Sequence, residues 1–187
     1  MDIVRDEIVR LTEEYGGQWG INHTRRLLSL ASVISAGQPY DEDAVWLAAH
    51  LHDWGAYPRW AQKDVDHAVR SRQVAGDFLT ERGYPEEWEK LVLECIEHHH
   101  SGGSNRSFES ILFSDADALD FLGVVGVLRD FSKNPKDMRK AYETVQVRRE
   151  KVPGLIQLTK SKEIAAVRIR QMDELLTQFE KDSFGLF

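Results

Sequence analysis

The stretch Leu47-Ala48-Ala49-His50-Leu51-His52-Asp53-Trp54-Gly55 sets an ionisable pair, His52 and Asp53, at the end of an apolar helical run. Asp41 or Asp43 can cap that helix, which spans Ala44 to His52 and closes at Gly55. His52 continues the apolar stripe Val45, Ala48. His50 lies about 200° around the helix from His52, so it reads as a structural residue. The same placement recurs along the chain. His23 heads the stripe Leu27, Leu30, Ile34, and His67 leads Val74 and Phe78 at helical spacing.

Apolar residues follow this period nearly everywhere, and strand-like alternation is scarce, which predicts an all-α fold. Val4, Ile8, Leu11 and Tyr15 mark a first helix stopped by Gly16-Gly17, and a second runs from about His23 to Ile34, ended by Gly37 and Pro39. After a loop with Pro58, a helix runs from Asp66 to Arg82, ended by Gly83; Pro85 opens the next, which reaches His98-His99-His100. Ser101 to Asn105 is a loop, and Ser107 caps a helix expected to continue through Leu128. Asn134-Pro135 starts another, broken at Pro153-Gly154, and Ser161 caps the last. No repeat, low-complexity segment or linker divides the sequence. The expectation is one domain over residues 1–187, a bundle of about seven to eight helices, with a core at about 20–130 and C-terminal helices at 135–182 packing on it.

At 187 residues, 42% hydrophobic and 29% charged, the chain can bury a substantial core. A net charge of -7 argues against general nucleic-acid binding. The short basic runs at Arg25-Arg26 and Arg148-Arg149-Glu150-Lys151 read as solvated helix faces. No apolar run reaches the ~20 residues that cross a bilayer, and the acidic start of the sequence lacks a signal-peptide pattern. The single cysteine, Cys95, lies among Leu91, Val92, Leu93 and Ile96 and reads as a buried thiol. A soluble, cytoplasmic protein is expected.

Taken singly, a histidine on an apolar face is more often a satisfied core residue than a ligand. The joint pattern argues otherwise. His23, His52-Asp53, His67, the triplet at 98–100 and Asp115, Asp117 and Asp120 are all His or Asp, a ligand set for borderline metal ions. Burying several imidazoles and carboxylates together is costly unless a cation compensates. Within the triplet, His99 shares the stripe of Trp88, Val92 and Cys95, so it is the expected inward residue; His98 lies with Glu87, Leu91 and Glu94, and His100 with Glu89, Leu93 and Ile96. Asp117 shares a helix face with Phe113, Phe121 and Val124.

In this order these segments resemble the HD superfamily of metal-dependent phosphohydrolases. His23-Thr24-Arg25-Arg26-Leu27-Leu28 is similar to its first histidine segment, and Leu47 to Gly55 to its defining His-Asp signature. His67-Ala68 with Gly76, Leu79, Gly83 and Pro85 resembles the next helix, and Cys95-Ile96-Glu97-His98-His99 and Ile111 to Asp120 resemble the last two. The likeness covers roughly residues 20 to 130. It implies that His23, His52, Asp53 and a later aspartate hold one divalent ion (Mn, Fe, Co, Ni, Zn or Mg). Ala116-Asp117-Ala118-Leu119 matches the family motif best, with Asp115 and Asp120 read as groups behind the ligands or on the surface. It also implies that His67, His99 and Asp53 are catalytic, with His67 and His99 either holding a second ion or contacting substrate phosphate. Arg26 resembles a family arginine that contacts phosphate or braces the site. Many members carry Gly-Lys after the pair; here Gly55 is followed by Ala56-Tyr57-Pro58, which removes a phosphate donor.

The expected function is therefore hydrolysis, by metal-activated water, of a phosphate ester in a nucleotide or another small molecule. Specificity would lie in pocket walls such as Trp54, Tyr57, Trp60 and Phe121. Two alternatives stay open: a di-iron oxygenase of the same superfamily, and a non-enzymatic metal- or nucleotide-binding module.

Overall fold

The computed structural model describes residues 5–101 and 105–187, and among them the chain is all helical, with no strand. The expected contributions of Val4 to the first stripe and of Gly102, Gly103 and Ser104 to the loop after the triplet lie outside the described residues. Eight α-helices run in order: α1 (Arg5–Ile34), α2 (Glu42–Leu51), α3 (His67–Glu81), α4 (Glu86–Glu97), α5 (Phe108–Asp120), α6 (Gly123–Lys133), α7 (Met138–Lys151) and α8 (Thr159–Asp182). Short 3₁₀ turns stand at Trp54–Ala56 and Val152–Leu155. Contacts divide the chain into two compact units, residues 1–116 and 117–187.

In the first unit, α2 is the buried centre. Ala44, Leu47, Ala48, Ala49 and Leu51 are fully shielded, and α2 packs against α1 and α4. Asp41 caps it, its Oδ1 accepting from the Ala44 N–H at 2.9 Å. The other oxygen accepts the Trp88 indole N–H at 2.6 Å, which ties α4 to the same cap. Cys95 is 0% exposed, and burial pushes its thiol well above its ordinary value.

Where α1 was expected to stop, it bends. Gly17 alone leaves helical geometry (φ 61, ψ -166), and the helix resumes at once, so His23 sits inside α1 rather than at a helix start. The glycines here serve a packing need. A Cβ on Gly16 would lie 2.5 Å from Tyr57 Cζ, and one on Gly20 2.5 Å from the Tyr57 hydroxyl oxygen. The Tyr57 ring is seated where those side chains would be. A second difference lies after α5, where the expected continuous helix breaks. The Phe121 and Leu122 N–H groups bond back three residues, to Ala118 and Leu119, and Gly123 takes φ +78. The last two helices also start elsewhere than expected. Asp137 caps α7 by accepting from the Lys140 N–H at 2.9 Å, and Ser161 lies inside the first turn of α8.

The second unit packs α6 against α7 and α8 around Leu122, Val127, Ala141, Val145, Met172 and Leu176. Two of its buried acids, Asp120 and Asp130, meet guanidinium groups. Asp120 bonds the Arg129 guanidinium, Asp130 meets Arg148 at 2.7 Å, and Arg168 donates to the Leu119 carbonyl at 2.5 Å.

The turn after α2 is held by close approach to α3. The Gly55 N–H donates to Ser71 Oγ at 2.8 Å, and a Cβ on Gly55 would sit 2.3 Å from Ser71 N and 2.6 Å from His67 O. Those are backbone atoms and cannot swing aside. Gly55→Ala should therefore destabilise the protein by about 1–3 kcal/mol, lowering Tm by about 2–4 °C per kcal/mol; an unchanged melting curve would mean the two backbones are not packed this closely. A second prediction concerns pH. Arg82 grips Glu7 at 2.7 and 3.2 Å, and this hydrogen-bonded fork outweighs burial and holds the Glu7 carboxyl below its ordinary 4.5. A depressed carboxyl stabilises above its unfolded value and loses that contribution as pH falls through the folded one. Arg82→Gln should cost up to about 1 kcal/mol at pH 7, and denaturant titrations should show the difference closing as pH drops below about 4.5.

Candidate metal centre

The site grows from the end of α2. The Ala49 carbonyl there accepts two donors, Thr24 Oγ1 at 3.0 Å from α1 and His52 Nδ1 at 3.0 Å. A carbonyl only accepts, so His52 Nδ1 carries the proton, and Nε2 presents the ring's lone pair. The next carbonyl, of His50, accepts from Thr12 Oγ1 at 3.3 Å, and Thr12 in turn accepts the Trp54 indole N–H at 3.1 Å. Both His50 and His52 are buried. His50 turns back to the Trp46 carbonyl at 2.8 Å, and burial lowers its pKa to about 4; it is structural, as expected.

His23 and His52 are 2% and 1% exposed, with ring centroids 5.2 Å apart. Asp53 Oδ2 lies 3.4 Å from His52 Nε2 and 3.9 Å from His23 Nε2. One donor atom from each of the three fits within 4.8 Å. Ligands at ~2.0–2.2 Å from one ion stand about 3–4 Å apart. The donor types and separations of His23, His52 and Asp53 therefore fit a divalent cation.

A second group lies beside the first. The His52 ring meets His99 edge-on at 5.0 Å and Phe113 at 5.3 Å. His99 is 2% exposed and is the inward residue of the triplet. Its Nδ1 donates to the Ile96 carbonyl at 2.5 Å, which again leaves the lone pair on Nε2. His67 opens α3, behind the cap Asp66, which accepts from the Ala68 and Val69 N–H groups at 2.9 and 3.3 Å. His67 Nε2 approaches His100 Nε2 at 2.8 Å, and His67, His99 and His100 bring one donor each within 4.8 Å of one another. Helical spacing had separated His100 from His99. In fact α4 ends at Glu97, and the triplet lies in the turn beyond it, where a helical period no longer applies. His98 turns outward to Ser101 at 3.2 Å.

Other expected residues are distributed as follows. Arg26 is half-buried on α1, three residues after His23. Asp117 is 1% exposed and belongs to the second unit. Asp115 is fully buried, and its charge is felt by Arg106. Asp120 is not a surface group but half of the buried pair with Arg129. The expected pocket walls have other neighbours. Trp54 stacks on Trp60 at 4.6 Å, and the two line a cavity of about 330 Å3 with Arg59, Arg70, Phe78 and Arg82. Tyr57 is seated on Gly16 and Gly20, and burial raises its hydroxyl pKa. The Phe121 ring lies under two guanidinium groups, Arg148 at 4.1 Å and Arg129 at 4.8 Å.

Residues 20–122 match the HD domain family. The chain belongs to that family. Among solved structures it is similar to an HD-superfamily hydrolase from Bacillus thuringiensis, at 23% identity over 95% of each chain with a TM-score of 0.71. It is likewise similar to Bacillus subtilis YpgQ in complex with ADP, at 24% identity over 95% of this chain and 93% of that one, TM-score 0.70. A protein from Lactobacillus plantarum matches at 18% identity over 99% and 100%, TM-score 0.73. These likenesses establish a shared fold. No curated protein matches the chain.

The Ala49 carbonyl yields a direct test. Thr24→Val keeps the side-chain shape but removes one of its two donors, so stability should fall by about 1 kcal/mol. Denaturant unfolding that matches wild type would mean Thr24 Oγ1 does not hold the end of α2.

Proposed function

We propose that this protein is a metal-dependent phosphohydrolase acting on a nucleotide or another small-molecule phosphate ester. The observation that carries the reading is the convergence of His23, His52 and Asp53, two buried imidazoles and a part-exposed carboxylate. The HD family membership supports it, as does the similarity to an HD-superfamily hydrolase and to a protein solved with ADP.

His23, His52 and Asp53 would hold the ion. By its match to the family motif, Asp117 would be the fourth ligand. A divalent ion held there supplies Lewis-acid polarisation of a phosphoryl oxygen and a lowered pKa for water. Asp53, with a side chain 27% exposed, can also accept a proton from the attacking water. His99 stands beside His52 and His67 beside His99, where they would donate to substrate phosphate as imidazolium or hold a second ion. Arg26 supplies a guanidinium for phosphate. The lone, buried Cys95 needs no oxidising compartment, which supports a cytoplasmic setting. No helix among the described residues is long and apolar enough to cross a membrane.

Chelator should abolish phosphoester hydrolysis, and Mn2+, Co2+ or a similar ion should restore it, with no O2 consumption by the iron-loaded protein. His52→Ala and Asp53→Ala should each lose stoichiometric metal while remaining folded. Asp117→Asn should lose far more activity than Asp115→Asn or Asp120→Asn, because a neutral amide is a poor ligand. Metal content unchanged in both alanine variants would defeat the reading; a dead Asp115→Asn beside an active Asp117→Asn would move the ligand by two residues.

A further inference from the structure

Charge is spread unevenly along this chain. Residues 133–170 carry eleven Lys or Arg against four Asp or Glu, a net charge of +7 inside a sequence whose total is -7. This stretch spans α7, the 3₁₀ turn Val152–Leu155 and the first half of α8. We propose that the outer face of α7 and the turn beyond it form a docking surface for an anionic phospholipid bilayer, with Lys140, Val147, Lys151 and Leu155 as its contacts. The contact is with the surface of the bilayer, not a crossing of it.

Lys140, Thr144, Val147 and Lys151 follow one another at helical spacing and so form one stripe along α7. Both lysines are exposed, and Val147 between them is 48% exposed. Lys140, Thr144 and Val147 also line a hollow of about 410 Å3 with Glu143 and Arg148. The core-facing side of α7 carries Ala141 and Val145, which are fully buried, and the helix packs on α6. At Lys151 the helix passes directly into the 3₁₀ turn, whose last residue, Leu155, is 40% exposed.

The chemistry of the available cations selects lipid headgroups. Most arginines of the stretch are engaged within the fold: Arg148 with Asp130, Arg149 with Asp173, Arg168 with the Leu119 carbonyl and Arg139 with the Phe187 carbonyl. Among the described residues, Lys140 and Lys151 carry no ion pair. Lysine is a hydrated point charge on a flexible stem, which suits diffuse attraction to headgroups, whereas the planar fork of arginine is the group that reads nucleic acid. The stripe also lacks an aromatic ring on which a base could stack; Tyr142, the aromatic residue of α7, turns to Glu180 and Phe179. Two isolated aliphatic side chains bury far less than the ~800 Å2 per partner of a stable protein interface. Set among lysines, they match a surface that lays apolar groups at headgroup level and is held there by charge.

Vesicle binding is tested on the full chain in chelator, so it is read independently of metal and of phosphohydrolase activity. The probes are phosphatidylcholine vesicles with and without about one-third phosphatidylserine, separated by flotation. Wild type should float with the anionic vesicles alone and be released by salt at about 0.5 M, which screens surface charges. Combining Lys140→Glu with Lys151→Glu should lower binding about tenfold or more, and Leu155→Gln should weaken it several-fold. Lys63→Glu, a change at an exposed lysine of the first unit, should leave binding as it is. The proposal is overturned if wild type does not float, if it binds neutral vesicles equally, if the folded double variant binds in full, or if Lys63→Glu causes an equal loss. An oligonucleotide or polyglutamate bound as tightly as the anionic vesicles, with Leu155→Gln unaffected, would also overturn it in favour of a general polyanion surface.

Discussion

The carbonyl oxygen of Ala49 takes two hydrogen bonds at the buried end of α2, and the site is arranged around them. A helix ends with carbonyls that lack intrahelical donors, and a buried end cannot rely on water. Here Thr24 satisfies one lone pair from α1, and the His52 imidazole satisfies the other. That bond fixes the His52 tautomer and turns Nε2 toward His23 and Asp53. The same α1 supplies His23 and, through Thr12, steadies the neighbouring His50 carbonyl and the Trp54 indole. The chain reverses at Gly55 against Ser71, four residues into the helix that His67 begins. His52 and His99 are thus each oriented by a backbone carbonyl near the end of a short helix.

The buried acids divide by partner. Asp120 and Asp130 face guanidinium groups, Arg129 and Arg148, which neutralise them inside the second unit. Burial raises the Asp130 carboxyl even with Arg148 beside it, so desolvation there outweighs the attraction. Such pairs hold helices in register. Asp53 differs: its neighbours in the first group are the imidazoles of His23 and His52, whose ring nitrogens can coordinate a cation together with its carboxylate.

Much of this was legible in the sequence because burial and helical period leave a direct imprint. The helical class, the inward His99 and the structural His50 follow from that imprint, whereas the grouping of His23, His52 and Asp53 rests on the resemblance to the HD family, and the sequence narrows the cap only to Asp41 or Asp43. What escaped depends on tertiary contact. Gly16-Gly17 read as a stop, yet Gly16, with Gly20, makes room for Tyr57, a residue about forty positions away in sequence. His100 escaped because helical spacing was extended past Glu97, where α4 ends. Asp120 could not be paired with Arg129 without knowing that the helix breaks between them at Leu122. Trp54 and Trp60 suggested a substrate wall, but two stacked indoles are also what a buried turn needs for packing.

The central claim is that His23, His52 and Asp53 converge on a divalent cation. The most direct measurement is anomalous diffraction from crystals of protein purified without chelator, recorded on both sides of the metal absorption edge. The account predicts a peak about 2.0–2.2 Å from the Nε2 atoms of His23 and His52 and from an Asp53 oxygen. A fully occupied ion bound elsewhere, with these three side chains closed on one another and no peak between them even after soaking in Mn2+ or Zn2+, would contradict it.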